Sequence, residues 1–201
     1  MSGMDFDRLV AGWTTAMLVL CGLLASVGLV LPSPDAQAAP AAGYRTMAAA
    51  AKPVRLVVPS LRIRAPILPI EVNAQQVLDP PRNPREVGWW QRSARPGAKK
   101  GQTVLTGHTV HTGGGVMDDL AKLHKGRLVK VVTPKGAMEY RTTKVVTWSK
   151  EELAKHAVDI FAQERRDRRL VLITCSGWTG SYYTSNVVVF AKPLGVRKQN
   201  A

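Results

Sequence analysis

Short runs of β-branched and apolar residues, separated by turn residues, fill most of the chain from residue 53 onward. Such runs are typical of strands, and turn residues at close intervals favour hairpins. The clearest hairpin joins residues 128–133 to residues 138–146. Residues 170–174 and 187–191 form nearly continuous apolar runs, as buried central strands do. Many short strands with few helices predict a mainly β domain, either a sandwich or a closed barrel.

The remaining strand signals are weaker. Residues 54–58 and 103–106 have the composition of further short strands. Residues 61–70 alternate apolar and basic side chains but contain Pro66 and Pro69. Because proline cannot donate to a sheet ladder, this segment is expected at a sheet edge or as a bent strand.

Only two short helical segments are indicated. Met117, Leu120 and Leu123 follow the spacing of one face of a helix. A second helix is expected after Ser149, whose hydroxyl can cap it and which is followed by acidic residues in the first turn.

A stretch of 23 residues, 9–31, contains no charged side chain. As a helix it is long enough to cross a hydrocarbon core of ~30 Å. It exceeds the ~7–15 apolar residues of a secretory signal, so its length favours a retained single-pass anchor. A buried core helix is disfavoured, because the stretch has no polar face.

Two flanking features bear on this segment. The sequence Ala36-Gln37-Ala38 is a small-x-small pattern, so cleavage by a signal peptidase stays open as the alternative. No basic residue follows Arg8 until Arg45, which favours a cytoplasmic amino terminus. Under either alternative, residues 32–201 are expected outside the cytoplasm.

The chain therefore divides into four parts. Residues 1–31 are an amino-terminal membrane anchor or signal segment, and residues 32–52 are an Ala/Pro-rich linker. Residues 53–195 form the single folded domain, and residues 196–201 are a basic carboxy-terminal tail.

The chain is strongly basic, with 28 Lys+Arg against 14 Asp+Glu and a net charge of +14. Such a field attracts polyanions, namely nucleic acid, anionic lipid headgroups or cell-wall polymers. The expected location outside the cytoplasm argues against nucleic acid. The densest basic cluster, residues 165–169, is interrupted by Asp167 and has no interleaved aromatic residue, so a solvated surface turn explains it.

The two cysteines exclude a disulfide-stapled scaffold and a four-cysteine zinc site. Cys21 lies in the apolar stretch, so Cys175 is the only thiol expected outside the cytoplasm. Free cysteine often packs as a small hydrophobe. However, Cys175 comes directly after the apolar run 170–174 and before Ser176-Gly177, so we expect it at a strand end, where catalytic groups are often found.

A nucleophilic thiol needs a partner that takes its proton and later protonates a leaving group. His108 follows the short strand 103–106 and is favoured for this role. His111 lies in a glycine-rich loop and is the alternative. His124 and His156 fall in helical stretches, where a surface histidine is the default.

At these residues the chain resembles the sortase family. Leu172-Ile173-Thr174-Cys175 resembles the TLxTC signature, and Thr106-Gly107-His108 resembles the Gly-His at the end of a sortase strand. Three further segments match in order: Val87-Gly88-Trp89-Trp90, Arg95-Pro96-Gly97, and Met117-x2-Leu120-x2-Leu123-x2-Gly126. The resemblance covers about residues 53–192. The glycine-rich loop and the Cys-Ser-Gly-Trp sequence are similar to the actinobacterial class E/F group.

The resemblance implies a membrane-anchored cysteine transpeptidase with an eight-stranded β-barrel and short helices. Such an enzyme would cleave an LPxTG-type sorting signal of a surface protein at the Thr–Gly bond. Cys175 would form the thioacyl intermediate, and an amine of the peptidoglycan precursor would release it. His108 would act as general acid and then as general base.

The chain departs from the family at one position. Sortases carry an arginine on the strand after the cysteine, and this strand has Asn186 or Thr184 at the equivalent place. The only arginine after Cys175 is Arg197, beyond the aligned segment. An asparagine amide can donate to an oxyanion but supplies no charge, so Asn186 and Thr184 are candidate oxyanion or substrate-binding residues.

Two other functions fit these residues less well. A catalytically weak or silent sortase-like module that binds peptide or anionic wall polymer would explain the basic surface, but it leaves the Cys175 and His108 pair unexplained. Papain-like and NlpC-type hydrolases place the cysteine before the histidine, and L,D-transpeptidases have a different sequence around the nucleophile. The sequence shows no metal-ligand spacing, and neither a metal nor another cofactor is expected.

Overall fold

The computed structural model describes residues 39–75 and 77–198. The strands, in chain order, are β1 (Tyr44–Arg45), β2 (Arg55–Val58), β3 (Ile63–Ile70), β4 (Val87–Trp90), β5 (Thr103–Gly107), β6 (Leu128–Thr133), β7 (Gly136–Ser149), β8 (Leu170–Trp178) and β9 (Tyr183–Arg197). Two short α-helices, α1 (Lys150–Lys155) and α2 (Ala157–Phe161), connect β7 to β8. The predicted mainly β class is confirmed.

The sheet closes into a barrel. Its strand order is β9-β7-β6-β2-β3-β4-β5-β8, and β8 pairs again with β9 to complete a ring of eight strands. The two-residue β1 adds outside this ring, pairing with the end of β9. Closure leaves no long strand edge exposed, and it confirms the eight-stranded barrel.

The barrel has two apolar layers because side chains alternate along each strand. Residues Leu105, Leu170, Leu172, Val187 and Val189 point into the barrel and belong to its main core. The intervening residues of the same strands face outward and form a second cluster together with Ile160. This cluster consists of Val104, Ile160, Val171, Ile173, Val188 and Phe190. Ile160 comes from α2, so the outer face of β5, β8 and β9 is covered there by the helical connection.

The prolines of β3 fit because each half of the strand pairs with one neighbour. Residues 63–66 pair with β2, and residues 67–70 pair with β4. β3 therefore lies inside the sheet and not at its edge, which corrects half of the sequence expectation. Each half nevertheless has a free side, so the missing N–H groups of Pro66 and Pro69 cost no ladder bond there.

Both predicted helical segments form. The Ser149 hydroxyl accepts a 3.1 Å hydrogen bond from the Glu152 backbone N–H and caps α1. Met117, Leu120 and Leu123 are buried around a single 3-10 turn at Leu120–Lys122.

The folded domain extends past the limits set from the sequence. Tyr44–Arg45 form β1, and Met47 packs in the core with 4% exposure, although all three lie in the predicted linker. At the other end, β9 continues to Arg197. The predicted anchor, residues 9–31, lies outside the described residues. Within residues 39–75 and 77–198, no helix has the length and apolar character needed to cross a membrane.

Candidate active site

Cys175 lies within β8 and not at its end. Pairing with β9 continues through Cys175↔Asn186 and Ser176↔Ser185 to Trp178↔Tyr183. The expectation of a strand end was wrong, because the hairpin ladder extends the strand beyond its apolar run. Burial does change at this residue: Leu170 to Thr174 are buried, Cys175 is half-buried, and Gly177 is exposed. The thiol therefore sits where β8 leaves the core.

His108 is level with Cys175 on the neighbouring strand. β5 and β8 run parallel, and Thr106 pairs with Ile173. Extended by two residues, just past the end of β5 at Gly107, this register brings His108 opposite Cys175. Residues in register share a sheet face, so both side chains belong to the outer face, with Val104 and Ile173.

Thr174 fixes the backbone on both sides of His108. Its hydroxyl donates a 2.8 Å hydrogen bond to the Gly107 carbonyl. It also shares a 2.8 Å hydrogen bond with the hydroxyl of Thr109. These contacts show that residues 107 and 109 both turn towards the Thr174 face, which leaves His108 on the Cys175 face.

The His108 ring is held by a backbone carbonyl. Its Nε2 lies 2.8 Å from the carbonyl oxygen of Pro81, in the connection between β3 and β4. A carbonyl only accepts, so Nε2 must carry a proton. In this tautomer Nδ1 is the ring nitrogen that can accept a hydrogen bond. Sequence reasoning missed Pro81, because nothing in the local pattern of residues 71–86 signals this contact.

The two candidate oxyanion residues lie on the Cys175 face but differ in their hydrogen bonds. Asn186 is the cross-strand partner of Cys175, and its Nδ2 donates a 3.3 Å hydrogen bond to the Thr174 carbonyl. One amide hydrogen of Asn186 is then left for another acceptor. The Thr184 hydroxyl donates a 3.0 Å hydrogen bond to the Gly177 carbonyl, so its single hydrogen is already used.

Burial raises the pKa of the Cys175 thiol above its ordinary value. Two charges act on it in opposite directions: the Lys150 ammonium lowers the pKa and the Asp79 carboxylate raises it. Burial is the largest cause, so the thiol is protonated at neutral pH. A base is therefore needed to generate the nucleophile.

The other three histidines have different surroundings. The His111 ring stacks on Trp178, with centroids 4.1 Å apart and planes at 4°. Trp178 and His111 line the same cleft as Cys175. His156 stacks on Trp148 at 4.1 Å, and His124 is exposed in the turn after Leu123. His108 is therefore the histidine that the strand register aligns with Cys175.

A cleft of about 540 Å³ opens beside this part of β8. It is lined by residues of the β8–β9 hairpin and of the loop that carries His111. The Asp118 carboxylate fixes that loop, because it accepts hydrogen bonds from the backbone N–H groups of Val110 and Gly115. Its walls include Thr174, Cys175, Trp178, Tyr183 and His111. Within the described residues, no three His, Cys, Asp or Glu side chains are grouped to hold a metal ion.

Comparison with known proteins agrees with this architecture. The family model of the sortase domain matches residues 56–194, more than half of the chain. Among curated proteins, none is significantly similar in sequence.

Several solved structures share the fold. Sortase C-1 from Actinomyces oris is 23% identical, with 71% of this chain and 72% of that chain covered and a TM-score of 0.56. Sortase A from Corynebacterium diphtheriae is 15% identical, with 76% and 65% covered and a TM-score of 0.59. The pilus island 1 sortase C2 of Group B Streptococcus is 17% identical, with 70% and 72% covered and a TM-score of 0.55.

The closed β-barrel brings Cys175 of β8 level with His108, directly after the parallel strand β5. Together with the family match, it shows that the chain belongs to the sortase family and is an enzyme of the cysteine transpeptidase class.

Proposed function

We propose that this sortase cleaves an LPxTG-type sorting signal through a thioacyl intermediate on Cys175 and transfers the surface protein to a cell-wall amine. The observation that supports the proposal best is the register between β5 and β8, which aligns His108 with Cys175 on one sheet face. The contact with the Pro81 carbonyl orients the His108 ring, and burial raises the pKa of the Cys175 thiol, so the thiol needs a base.

The first half-reaction transfers the acyl group. His108 Nδ1 takes the thiol proton, and the Cys175 sulfur forms a bond to the scissile carbonyl carbon. The carbonyl π electrons move to oxygen and give a tetrahedral oxyanion. On collapse the C–N bond breaks, and the proton on Nδ1 passes to the leaving amine of the signal peptide. The thioester remains on Cys175, and His108 returns to its neutral form.

The second half-reaction reverses these roles. The wall amine attacks the thioester carbonyl, and His108 Nδ1 accepts its proton as general base. The C–S bond breaks, the sulfur takes back a proton, and a new amide joins the surface protein to the wall. Asn186, level with Cys175 on β9, is placed to donate its free amide hydrogen to either oxyanion.

The proposal includes a cellular location. The uncharged stretch 9–31 supports a single-pass anchor in the cell membrane, with the catalytic domain outside the cytoplasm. The glycine-rich loop and the Cys-Ser-Gly-Trp sequence support placement with the actinobacterial class E/F sortases. Sorting-signal peptides and a peptidoglycan-precursor amine are then the partners of the domain, and the membrane is the partner of the anchor.

Mass spectrometry of the full chain tests the reaction. The protein in detergent is incubated with LPxTG- and LAxTG-type peptides and, in parallel, with added triglycine as acceptor amine. We expect an acyl adduct on Cys175, its release as a triglycine amide, and neither product from Cys175→Ala. If the wild-type thiol forms no adduct with either peptide, cleavage of this type of signal is ruled out.

A further inference from the structure

Thioester formation at Cys175 creates negative charge twice, first on sulfur and then on the carbonyl oxygen. Positive groups near such charge accelerate acyl transfer, because they stabilise the transition state more than the neutral ground state. β9 supplies no cation at the level of Cys175, since its residues there are Thr184, Ser185 and Asn186. A cation must therefore come from another element.

A cation is found directly after the end of β7. Trp148 pairs with Asn186, which pairs with Cys175, so these three residues form one row across β7, β9 and β8. Ser149, Ser185 and Ser176 form the next row. Lys150 follows this row directly, as the first residue of α1.

The space between Lys150 and Cys175 is bordered by short side chains. Gly177 has none, and the Thr184 hydroxyl is turned back to the Gly177 carbonyl. The Lys150 Nζ lies 5.7 Å from the centroid of the Tyr182 ring, within the range of a cation–π contact. The Tyr182 ring thus holds the ammonium group at the rim of the site.

The charges that act on the thiol are few. Lys150 is the cation that favours its ionised form, and Asp79 is the anion that opposes it. Asp79 is engaged elsewhere, since it accepts a 2.7 Å hydrogen bond from the Asn73 side chain. His108, directly after β5, also faces this side of the sheet, and Lys144 lies on it further from Cys175.

We propose that Lys150 is a catalytic residue that stabilises the oxyanion formed at Cys175, supplying from the end of β7 the positive charge that β9 lacks. The inference rests on the proposed nucleophilic role of Cys175. The substrate carbonyl would be placed between the Asn186 amide and the Lys150 ammonium, one giving a hydrogen bond and the other a charge. Proton transfers stay with His108, and Lys150 contributes only its charge.

The test uses two substitutions at residue 150 and a matched control. Lys150→Met keeps the side-chain length and its packing on Tyr182 but removes the charge, whereas Lys150→Arg keeps the charge. Lys144→Ala is the control, because Lys144 lies on the same strand with its Nζ 5.4 Å from the Trp148 centroid, but is level with Phe190 and away from Cys175.

Two substrates separate this inference from the proposed function. p-Nitrophenyl acetate acylates a thiol through the same oxyanion without any sorting motif, and an LPxTG peptide reports the complete reaction. We expect Lys150→Met to lower the acylation rate constant about tenfold to a hundredfold with both substrates. Lys150→Arg should restore most of the rate, and Lys144→Ala should match the wild type.

The outcomes are decisive in each direction. If Lys150→Met acylates as fast as the wild type with the ester, the inference is overturned, whatever the peptide does. The same holds if Lys150→Arg is as slow as Lys150→Met, because charge is then not the cause. If the ester rate falls as expected while no peptide reacts, Lys150 keeps its role and the choice of sorting signal fails.

Discussion

The Thr174 hydroxyl donates a 2.8 Å hydrogen bond to the Gly107 carbonyl, and so joins the residue before the proposed nucleophile to the residue before the proposed acid–base. Thr174 is almost completely buried, with 2% exposure. Its second contact, with Thr109, lies on the other side of His108. One side chain therefore sets the relative position of the two reacting groups.

Thr174→Val is expected to reduce both stability and activity. The substitution keeps the volume but leaves the Gly107 carbonyl and the Thr109 hydroxyl without this partner, which costs about 1–3 kcal/mol for a buried polar group. Urea unfolding and the acylation rate measure the two effects. Thr174→Ser keeps the hydroxyl and should recover activity more than stability. Equal activity of the Val variant and the wild type would contradict the positioning role.

Gly88→Ala is expected to disturb His108 through Pro81. A Cβ at residue 88 would clash with Cδ1 of Ile70 and lie 3.1 Å from Cδ of Pro81, whose carbonyl holds Nε2 of His108. Adding Ile70→Val removes the clash with Cδ1, and leaves the contacts at 3.0 Å with Cγ1 of residue 70 and at 3.1 Å with Pro81. The double variant should therefore regain thermal stability while its kcat/KM stays several-fold low. Full recovery of kcat/KM would show that the Pro81 contact is not needed.

Asn186→Ala should lower transpeptidation by about one to two orders of magnitude, because it removes an oxyanion donor level with Cys175. Ser185→Ala is the neighbouring control and should have a smaller effect, since Ser185 points to the other face. Thr184→Val should also have a smaller effect, because the Thr184 hydroxyl already donates to Gly177. Peptide cleavage rates rank the three variants. If Asn186→Ala does not lower the cleavage rate, the oxyanion donors are backbone amides and not Asn186.

The ionisation of Cys175 can be followed by alkylation in a Cys21→Ala background, where it is the only thiol. Burial raises its pKa above the ordinary value of 9.0, so the rate with iodoacetamide should be low at pH 7 and rise with a midpoint above pH 9. Asp79→Asn removes a charge that raises the pKa, and the midpoint should shift down. A midpoint near pH 6 would instead indicate a thiolate–imidazolium pair.

Glu139 should make the barrel sensitive to acid. Burial raises the pKa of this carboxyl, but hydrogen bonds from Lys130 and Tyr44 and the charges of Lys130 and Arg197 outweigh burial and lower it. The folded pKa is thus below the unfolded one, about 4.3. This contribution to stability is present above the unfolded pKa and is lost as the pH falls through the folded pKa.

The comparison is between wild type and Glu139→Gln by urea unfolding at several pH values. The variant should be less stable at pH 7, and the difference should shrink between about pH 5 and pH 3. Glu164→Gln is the control, since the pKa of Glu164 is lowered by Lys100 in an exposed pair, and the dependence on pH should be much smaller. A difference that stays constant with pH would assign the loss at Glu139 to packing.

The strands could be read from the sequence because burial on one or both faces leaves a local pattern. The runs 128–133, 170–174 and 187–191 lie within β6, β8 and β9. The ends of strands leave a weaker pattern. β8 continues to Trp178, because the hairpin ladder extends through polar residues that give no apolar signal. The same limit applies to β1, whose two residues pair with a strand about 150 positions away.

The residues of the candidate site also divide into those that the sequence could indicate and those that it could not. Cys175, His108 and Asn186 could be proposed from residue chemistry and motif order, because the roles of nucleophile, base and donor require particular side chains. The Pro81 carbonyl, the Thr174 contacts and the position of Lys150 could not, since each depends on which distant segments the closed barrel brings to one level. The sequence by itself determined which groups can react. Only the tertiary structure decided which face they share, which ring nitrogen is free and which charge the thiol meets, because these depend on long-range register and not on local pattern.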